Sequence, residues 1–193
     1  MRIIGGIHRS RHIDPPDDYE TTRPITDRVK VAAFDRLADA GMFEEGHALD
    51  IFAGTGSLGI EALSRGSETC TFVERDRRAR EILSKNIDLL RLADRSTVLS
   101  ANALTTGWLA TLPHKPLRVV FCDPPYPMME DEATRPQILA LIRAVLPLLE
   151  PGGVVMLRTP KHITPEPVEG FGEPKHHTYG SMMLTFYQAP LPD

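Results

Sequence analysis

Residues 49–59 read Leu49-Asp50-Ile51-Phe52-Ala53-Gly54-Thr55-Gly56-Ser57-Leu58-Gly59, an apolar stretch that runs straight into a glycine loop of the form G-x-G-x-x-G. A strand that ends in such a loop and re-enters a helix opens a βαβ unit, because glycines permit the tight turn and close helix–sheet packing. Strand-like and helix-like segments alternate from there on. Apolar runs predict strands at Ala48–Phe52, Thr69–Val73, Thr97–Leu99, Leu117–Cys122 and Val154–Leu157. Helical spacing predicts helices at about Ser57–Ser64 and Arg77–Leu90, a short one carrying Trp108, and one long helix over about Asp131–Leu149, with Pro136 early and Pro147 late. Repeated βαβ units cross over right-handed, so the expected class is α/β, a doubly wound, mostly parallel Rossmann-like sheet. Ser181–Tyr187 is expected to add an antiparallel C-terminal edge.

The segment before this alternation reads differently. Arg2-Ile3-Ile4 suggests a short strand, Gly5-Gly6 a turn, and a second short strand completes an N-terminal hairpin. Asp14-Pro15-Pro16-Asp17-Asp18 is a loop. Thr26 is a good N-cap for a helix reaching about Ala40, with Asp27 favourable in its first turn and Gly41 at its end. Val29, Ala33, Phe34 and Leu37 form its apolar stripe. The expected division is a basic appendage over residues 1–25 and a main domain over 26–193.

Composition excludes several classes. A chain of 193 residues with 41% hydrophobic and 25% charged content is an ordinary globule of one domain. No apolar run approaches the ~18 residues of a membrane span. Met1-Arg2-Ile3-Ile4-Gly5-Gly6 lacks the apolar core of a signal peptide. Cys70 and Cys122 fall inside predicted strands and are read as reduced, buried thiols, so a cytoplasmic location is expected. The net charge of −4 argues against a nonspecific polycation, yet residues 1–13 hold Arg2, Arg9 and Arg11 and no acid. Arg23, Arg28 and Lys30 form a second basic group around Asp27. Such arms suit phosphate contacts as well as a solvated surface. The seven histidines form no metal constellation, and the adjacent His176-His177 is read as surface; no metal is expected. Lys161 and His162 follow the fifth strand and read as an exposed loop.

The chemistry concentrates at strand ends. After Val119-Val120-Phe121-Cys122 comes Asp123-Pro124-Pro125-Tyr126. Two prolines fix φ near −65°, remove two backbone donors and bar Asp123 from helical geometry. The strand stops, leaving a carboxylate, an undonated carbonyl and an aromatic ring at one corner. That corner suits a planar ligand with an exocyclic amine. Asp123 and the Pro124 carbonyl each accept one N–H, and Tyr126 stacks on the ring. The glycine loop fits a dinucleotide or S-adenosylmethionine. Asp50, four residues before Gly54, faces an ammonium group favourably and a pyrophosphate unfavourably. Glu74, twenty positions past Gly54, is placed to accept both ribose hydroxyls, and Asn102 to lie near the adenine amine. Hydride transfer has no use for the proline corner, so S-adenosylmethionine is the favoured ligand. The residues expected around it are Asp50, Phe52, Ala53, Gly54, Gly56, Glu74, Arg75, Asn102, Ala103 and Asp123.

With both motifs placed, the chain resembles the bacterial 16S ribosomal RNA (guanine(966)-N2)-methyltransferase family over nearly its whole length. The resemblance rests on Arg2-Ile3-Ile4-Gly5-Gly6, on Thr22-Arg23-Pro24-Ile25-Thr26-Asp27-Arg28-Val29-Lys30, on Leu49 through Gly66, on Phe72-Val73-Glu74-Arg75-Asp76 and on Asp123-Pro124-Pro125-Tyr126. The Arg-Pro-x-x-Asp-Arg segment is its most specific piece. The early basic segment reads Arg9-Ser10-Arg11, keeping the charge spacing of an Arg-Gly-Arg pattern.

The resemblance implies a class I methyltransferase sheet and methyl transfer from S-adenosylmethionine, yielding S-adenosylhomocysteine. The expected acceptor is the N2 amine of a guanine in 16S ribosomal RNA, free or in an assembling small subunit. Asp123, Pro124, Pro125 and Tyr126 are the expected catalytic corner. Arg9, Arg11, Arg23, Asp27, Arg28 and Tyr126 are the expected RNA side. A monomer is expected. The alternatives are adenine-N6 or cytosine-N4 methylation of DNA, which usually places Asn where Asp123 stands, and a noncatalytic RNA-binding or assembly module.

Overall fold

The computed structural model describes residues 1–16 and 25–192. Arg23, with Thr22 and Pro24 of its motif and Asp17, Asp18 and Glu20, lies outside the described residues. The strands are β1 (His47–Ile51), β2 (Thr69–Val73), β3 (Ser96–Leu99), β4 (Leu117–Cys122), β5 (Leu149–Pro160), β6 (Lys175–Tyr179) and β7 (Met182–Gln188). They form one sheet in the order β3-β2-β1-β4-β5-β7-β6. The first five are parallel, and β7 runs antiparallel to both β5 and β6. This is the doubly wound sheet with an antiparallel C-terminal margin that the alternation predicts. The edge itself is β6, a strand the sequence reading did not assign. Its half-exposed, polar Lys175-His176-His177-Thr178-Tyr179 has no apolar run to mark it, and pairing with β7 creates it.

The helices are α1 (Asp27–Asp39), α2 (Ser57–Arg65), α3 (Arg77–Leu89), α4 (Tyr126–Glu130) and α5 (Arg135–Val145). Side chains alternate across the pleat, so each strand feeds two cores. Cys70, Phe72, Phe121 and Met156 face α1, α2 and α3, whose Phe34, Leu63 and Leu83 bury against them. Leu49, Val120, Val155 and Tyr187 face α5 and the 3₁₀ turn Thr106–Thr111, which contribute Ile138, Leu141 and Trp108. Cys70 and Cys122 are both free thiols in these cores.

Three local expectations are corrected. Residues 131–149 do not make one helix. Pro125 caps the short α4, and Pro127 sits in its first turn, where a missing N–H costs nothing. Asp131 then turns extended at φ −74°, ψ 120°. α5 starts only at Arg135, with Pro136 again in the first turn. Pro147 cannot continue an α-helix and lies in a 3₁₀ turn that leads into β5. Thr26 occupies the N-cap of α1, but its side chain makes no capping hydrogen bond. The N-terminal hairpin reduces to one antiparallel bridge, Arg2 with His12, around a 3₁₀ turn at Gly6–His8.

That N-terminal segment is fastened to the sheet's helices. Ile3 and Ile13 are buried in the same core as α1 and α2. Glu61 on α2, fully buried, accepts from Ile4 N at 2.9 Å and pairs with Lys30 Nζ at 3.0 Å and Arg65 Nε at 3.0 Å. Ser64 donates to Gly5 O and accepts from His8 N. Asn86 on α3 holds the backbone of Asp14 through both of its amide atoms and donates to Thr55 O in the glycine loop.

Candidate active site

The chain leaves β1 toward β2 on one side and returns to β4 on the other, so the strand order reverses between β1 and β4. Crevices at such switch points receive ligands beyond the carboxyl ends of the strands. A cavity of about 910 Å³ opens here. Asp50 from β1, Glu74 after β2, Asn102 after β3, Asp123 after β4 and Arg158 from β5 all line it.

Phe52 follows β1 in the left-handed region, at φ +62°. A bulky side chain rarely adopts that conformation, and such strain, about 1–3 kcal/mol, concentrates at functional corners. Gly54 follows at φ +54°, and a Cβ there would meet no protein atom within 4 Å. Its smallness therefore serves the space of the cavity. Gly59 differs: a Cβ there would fall 2.4 Å from the Phe72 ring, so it serves helix–strand contact.

Asp50 is 1% exposed. Its Oδ2 accepts from Gly59 N at 2.8 Å, while its Oδ1 is buried without a partner among the described residues. Burial pushes this carboxyl well above the usual carboxylate range; the Gly59 N–H opposes the shift, and the nearby Asp123 and Glu74 charges reinforce it. A buried acceptor left unsatisfied costs about 1–3 kcal/mol, so a cationic donor in the cavity has something to gain. Glu74 is held by two backbone amides, Gly54 N at 2.9 Å and Asp76 N at 2.8 Å. Each carboxylate oxygen keeps a second lone pair for a ligand. Asn102 is exposed and accepts from Leu104 N at 3.1 Å, and Ala103 beside it is buried. Arg75 is exposed at the cavity's rim. A nucleoside bearing a ribose and an ammonium group fits this donor set: an orphaned carboxylate oxygen, a second carboxylate fixed on the loop, and an open glycine.

At the opposite wall, Asp123 N donates to Ile51 O at 3.2 Å, which locks the β4 end to the β1 end. The Asp123 carboxylate is partly buried and binds Arg158 Nε through Oδ1 at 2.5 Å. Burial raises its pKa, and Arg158 opposes that rise by charge and by hydrogen bonding. Arg158 Cζ lies 5.3 Å from the centroid of Tyr126. Pro125 and Tyr126 line the cavity, while Pro124 is buried behind them. Glu130 and His162 also line it, 3.7 Å apart.

Arg158 is the residue the sequence reading missed. The available signal was an arginine closing the apolar run Val154-Val155-Met156-Leu157, one strand over from Asp123. Register makes the pair: Cys122 faces Leu157, so Asp123 and Arg158 are the next positions on neighbouring strands.

The remaining expected residues lie apart from this wall. Arg9, Arg11 and Arg28 are exposed, and Arg11 donates to Leu89 O at 3.0 Å. Asp27 pairs with Arg2 at 2.6 Å. The N-terminal region reaches the cavity instead through Met1, Pro16 and Ile25. Among the described residues, no group of His, Cys, Asp and Glu is placed to hold a metal ion, and no helix is long and apolar enough to cross a membrane.

The chain has similar proteins in sequence and in fold. A family profile described as "Conserved hypothetical protein 95" matches residues 1–188. A Bacillus subtilis protein named "Putative rRNA methyltransferase YlbH" is 34% identical over 188 residues, 97% of this chain and 98% of that one. The Escherichia coli "Ribosomal RNA small subunit methyltransferase D" is 40% identical over 126 residues, 65% of this chain and 60% of that one. Among solved structures, "Putative methyltransferase yhhF from Escherichia coli" superposes with a TM-score of 0.78 at 29% identity, covering 100% of this chain and 99% of that one. The sheet is thus a Rossmann-like methyltransferase sheet.

Proposed function

The chain belongs to the conserved hypothetical protein 95 family, and on that footing we propose that it transfers a methyl group from S-adenosylmethionine to the exocyclic N2 amine of a guanine in 16S ribosomal RNA. The observation that carries this reading is the convergence of Asp50, Glu74 and the Asp123–Tyr126 corner on one cavity at the switch point. The RNA methyltransferase names of its relatives support the substrate class.

When bound, S-adenosylmethionine supplies an electrophilic methyl on a sulfonium sulfur. The chain's residues do the rest. Asp50 offers its unpartnered oxygen to the ammonium group, directly or through water. Glu74, steadied by Gly54 and Asp76, accepts the ribose hydroxyls. Asn102 and Ala103 border the adenine. A guanine N2 amine is a poor nucleophile because its lone pair is delocalised into the ring. Asp123 and the Pro124 carbonyl accept its two N–H groups and turn the lone pair toward the methyl. Most of the acceleration is positioning, with the carboxylate complementing charge that develops on nitrogen. A new N–C bond forms as the S–C bond breaks, and the nitrogen loses one proton, for which Asp123 is the acceptor the corner supplies. Tyr126 stacks on the base, which leaves any helix it occupies. Arg9, Arg11, Arg23, Asp27 and Arg28 are assigned to RNA, free or in an assembling small subunit.

Incubation with radiolabelled donor and undermethylated ribosomal RNA tests the reading. Label should appear as N2-methylguanosine in a mass-spectrometric nucleoside digest. Label in adenine or cytosine of DNA, or in no nucleic acid, would sink it.

A further inference from the structure

The Asp123 corner contains a cation that the proposed reaction has not yet used. Arg158 is 6% exposed, an expensive place for a guanidinium unless geometry repays the lost hydration. It sits on the cavity wall, not within either apolar core. Its Nε binds only one oxygen of Asp123, Oδ1, at 2.5 Å. Oδ2 has no hydrogen-bond donor among the described residues. The same guanidinium lies over the Tyr126 ring. One planar group thus fixes the rotation of the carboxylate and braces the aromatic face beside it, which a point charge cannot do.

Resting on the proposed function, we propose that Arg158 is a positioning residue: it anchors Asp123 through Oδ1, keeps Oδ2 for the target amine, and holds the Tyr126 ring in place for the base. The other charged groups lining this cavity are Asp50 and Glu74 from the β1 and β2 ends, Arg75 and Asp76 after β2, Arg78 on α3, Glu130 on α4 and His162 after β5. Among the described residues, the cation paired with Asp123 is Arg158, so it supplies the permanent positive charge at this carboxylate. Without it, burial acts unopposed, and Asp123 takes up a proton nearer neutral pH. A protonated Asp123 is a worse acceptor for the amine. Arg158's share of the stability is present while Asp123 is ionised and is lost as pH falls through its folded pKa, whereas the net rise caused by burial acts in the opposite sense.

The test uses the full chain and three variants, Arg158→Ala, Arg158→Lys and Arg158→Gln, the last a neutral polar replacement that fills more of the space should the alanine variant fail to fold. Carboxylate carbon NMR follows the titration of Asp123, identified by the signal lost in Asp123→Asn. Loss of the arginine charge should raise its midpoint by about one to three pH units, and Arg158→Lys should recover most of that shift. Under methyl transfer to undermethylated ribosomal RNA, kcat should fall up to about 100-fold while the donor's KM stays within a few-fold. Arg158→Lys should restore the pH profile but only part of the rate. An unmoved Asp123 midpoint in a folded variant overturns the proposal, as does a rate unchanged or raised, which would make Arg158 a scaffold or a latch. If the wild type methylates no guanine, the functional reading fails and the amine-positioning role falls with it. The titration still decides, independently, whether Arg158 governs Asp123.

Discussion

Asp50 shows how one buried carboxylate links stability to ligand binding. Its folded pKa is raised well above the unfolded value near 3.8. The folded chain then binds the proton more tightly than the unfolded chain, so stability falls as pH rises from the unfolded value through the folded one. The penalty is complete above the folded pKa. Asp50→Asn keeps an acceptor for Gly59 N and removes the charge. Without ligand, the variant should melt above wild type at neutral pH, and the gap should narrow toward pH 4. Its affinity for S-adenosylmethionine should fall by roughly 10- to 100-fold, the size of a lost charge-assisted hydrogen bond. Calorimetry and thermal melts across pH check both; a variant less stable at pH 7 contradicts the account. Asp123 gives the complementary case. Asp123→Ala should abolish turnover and leave cofactor binding within a few-fold. Lost cofactor binding in a folded protein would place Asp123 on the donor side instead.

At the scale of elements, the N-terminal segment is clamped from two directions. Asn86 on α3 ties Thr55 to Asp14, and α2 ties the N-terminal segment down through Glu61 and Ser64. Lys30 is nearly fully buried, and its burial lowers its pKa even with Glu61 opposing. Glu61→Ala strands Lys30 and frees the Ile4 amide and Arg65. Breaking a buried pair in this way should cost about 3–5 kcal/mol in urea unfolding. Lys30→Met combined with Glu61→Gln should recover much of that loss; if the single variant costs under ~1 kcal/mol, the clamp is not structural. The α4–α5 break belongs to the same scale. Proline chemistry marks where α4 and α5 start, but the extended turn at Asp131 between them carries no equally strong local signal.

Across the whole molecule, charge is distributed unevenly. A chain of net charge −4 presents an N-terminal segment whose arginines, Arg2, Arg9 and Arg11, are exposed. Polyanion binding through such a patch releases counterions and depends steeply on salt. Arg9→Ala with Arg11→Ala should weaken RNA binding and reduce the slope of log affinity against log salt by about two, one per lost phosphate contact. Filter binding between low and moderate salt measures it. Arg11 also donates to Leu89 O, so a melt must accompany the titration. An unchanged slope would return both arginines to a solvated surface. The N-terminal segment also lines the cavity through Met1 and Pro16, which couples the basic surface to the site by contact.

Local patterns were enough to read the strand–helix alternation, the parallel sheet and the carboxylates at the β1, β2 and β4 ends. Apolar periodicity, glycine turns and double prolines act over a few residues, and a strand's carboxyl end follows from where it stops. Long-range pairing was not legible. Arg158 meets Asp123 across 35 positions because β4 and β5 are neighbours in a fixed register. Glu61 meets Ile4 across 57 because α2 packs on the N-terminal segment. Charge partners so far apart in sequence are selected by the burial and register of the folded sheet, which no short stretch of chain encodes alone.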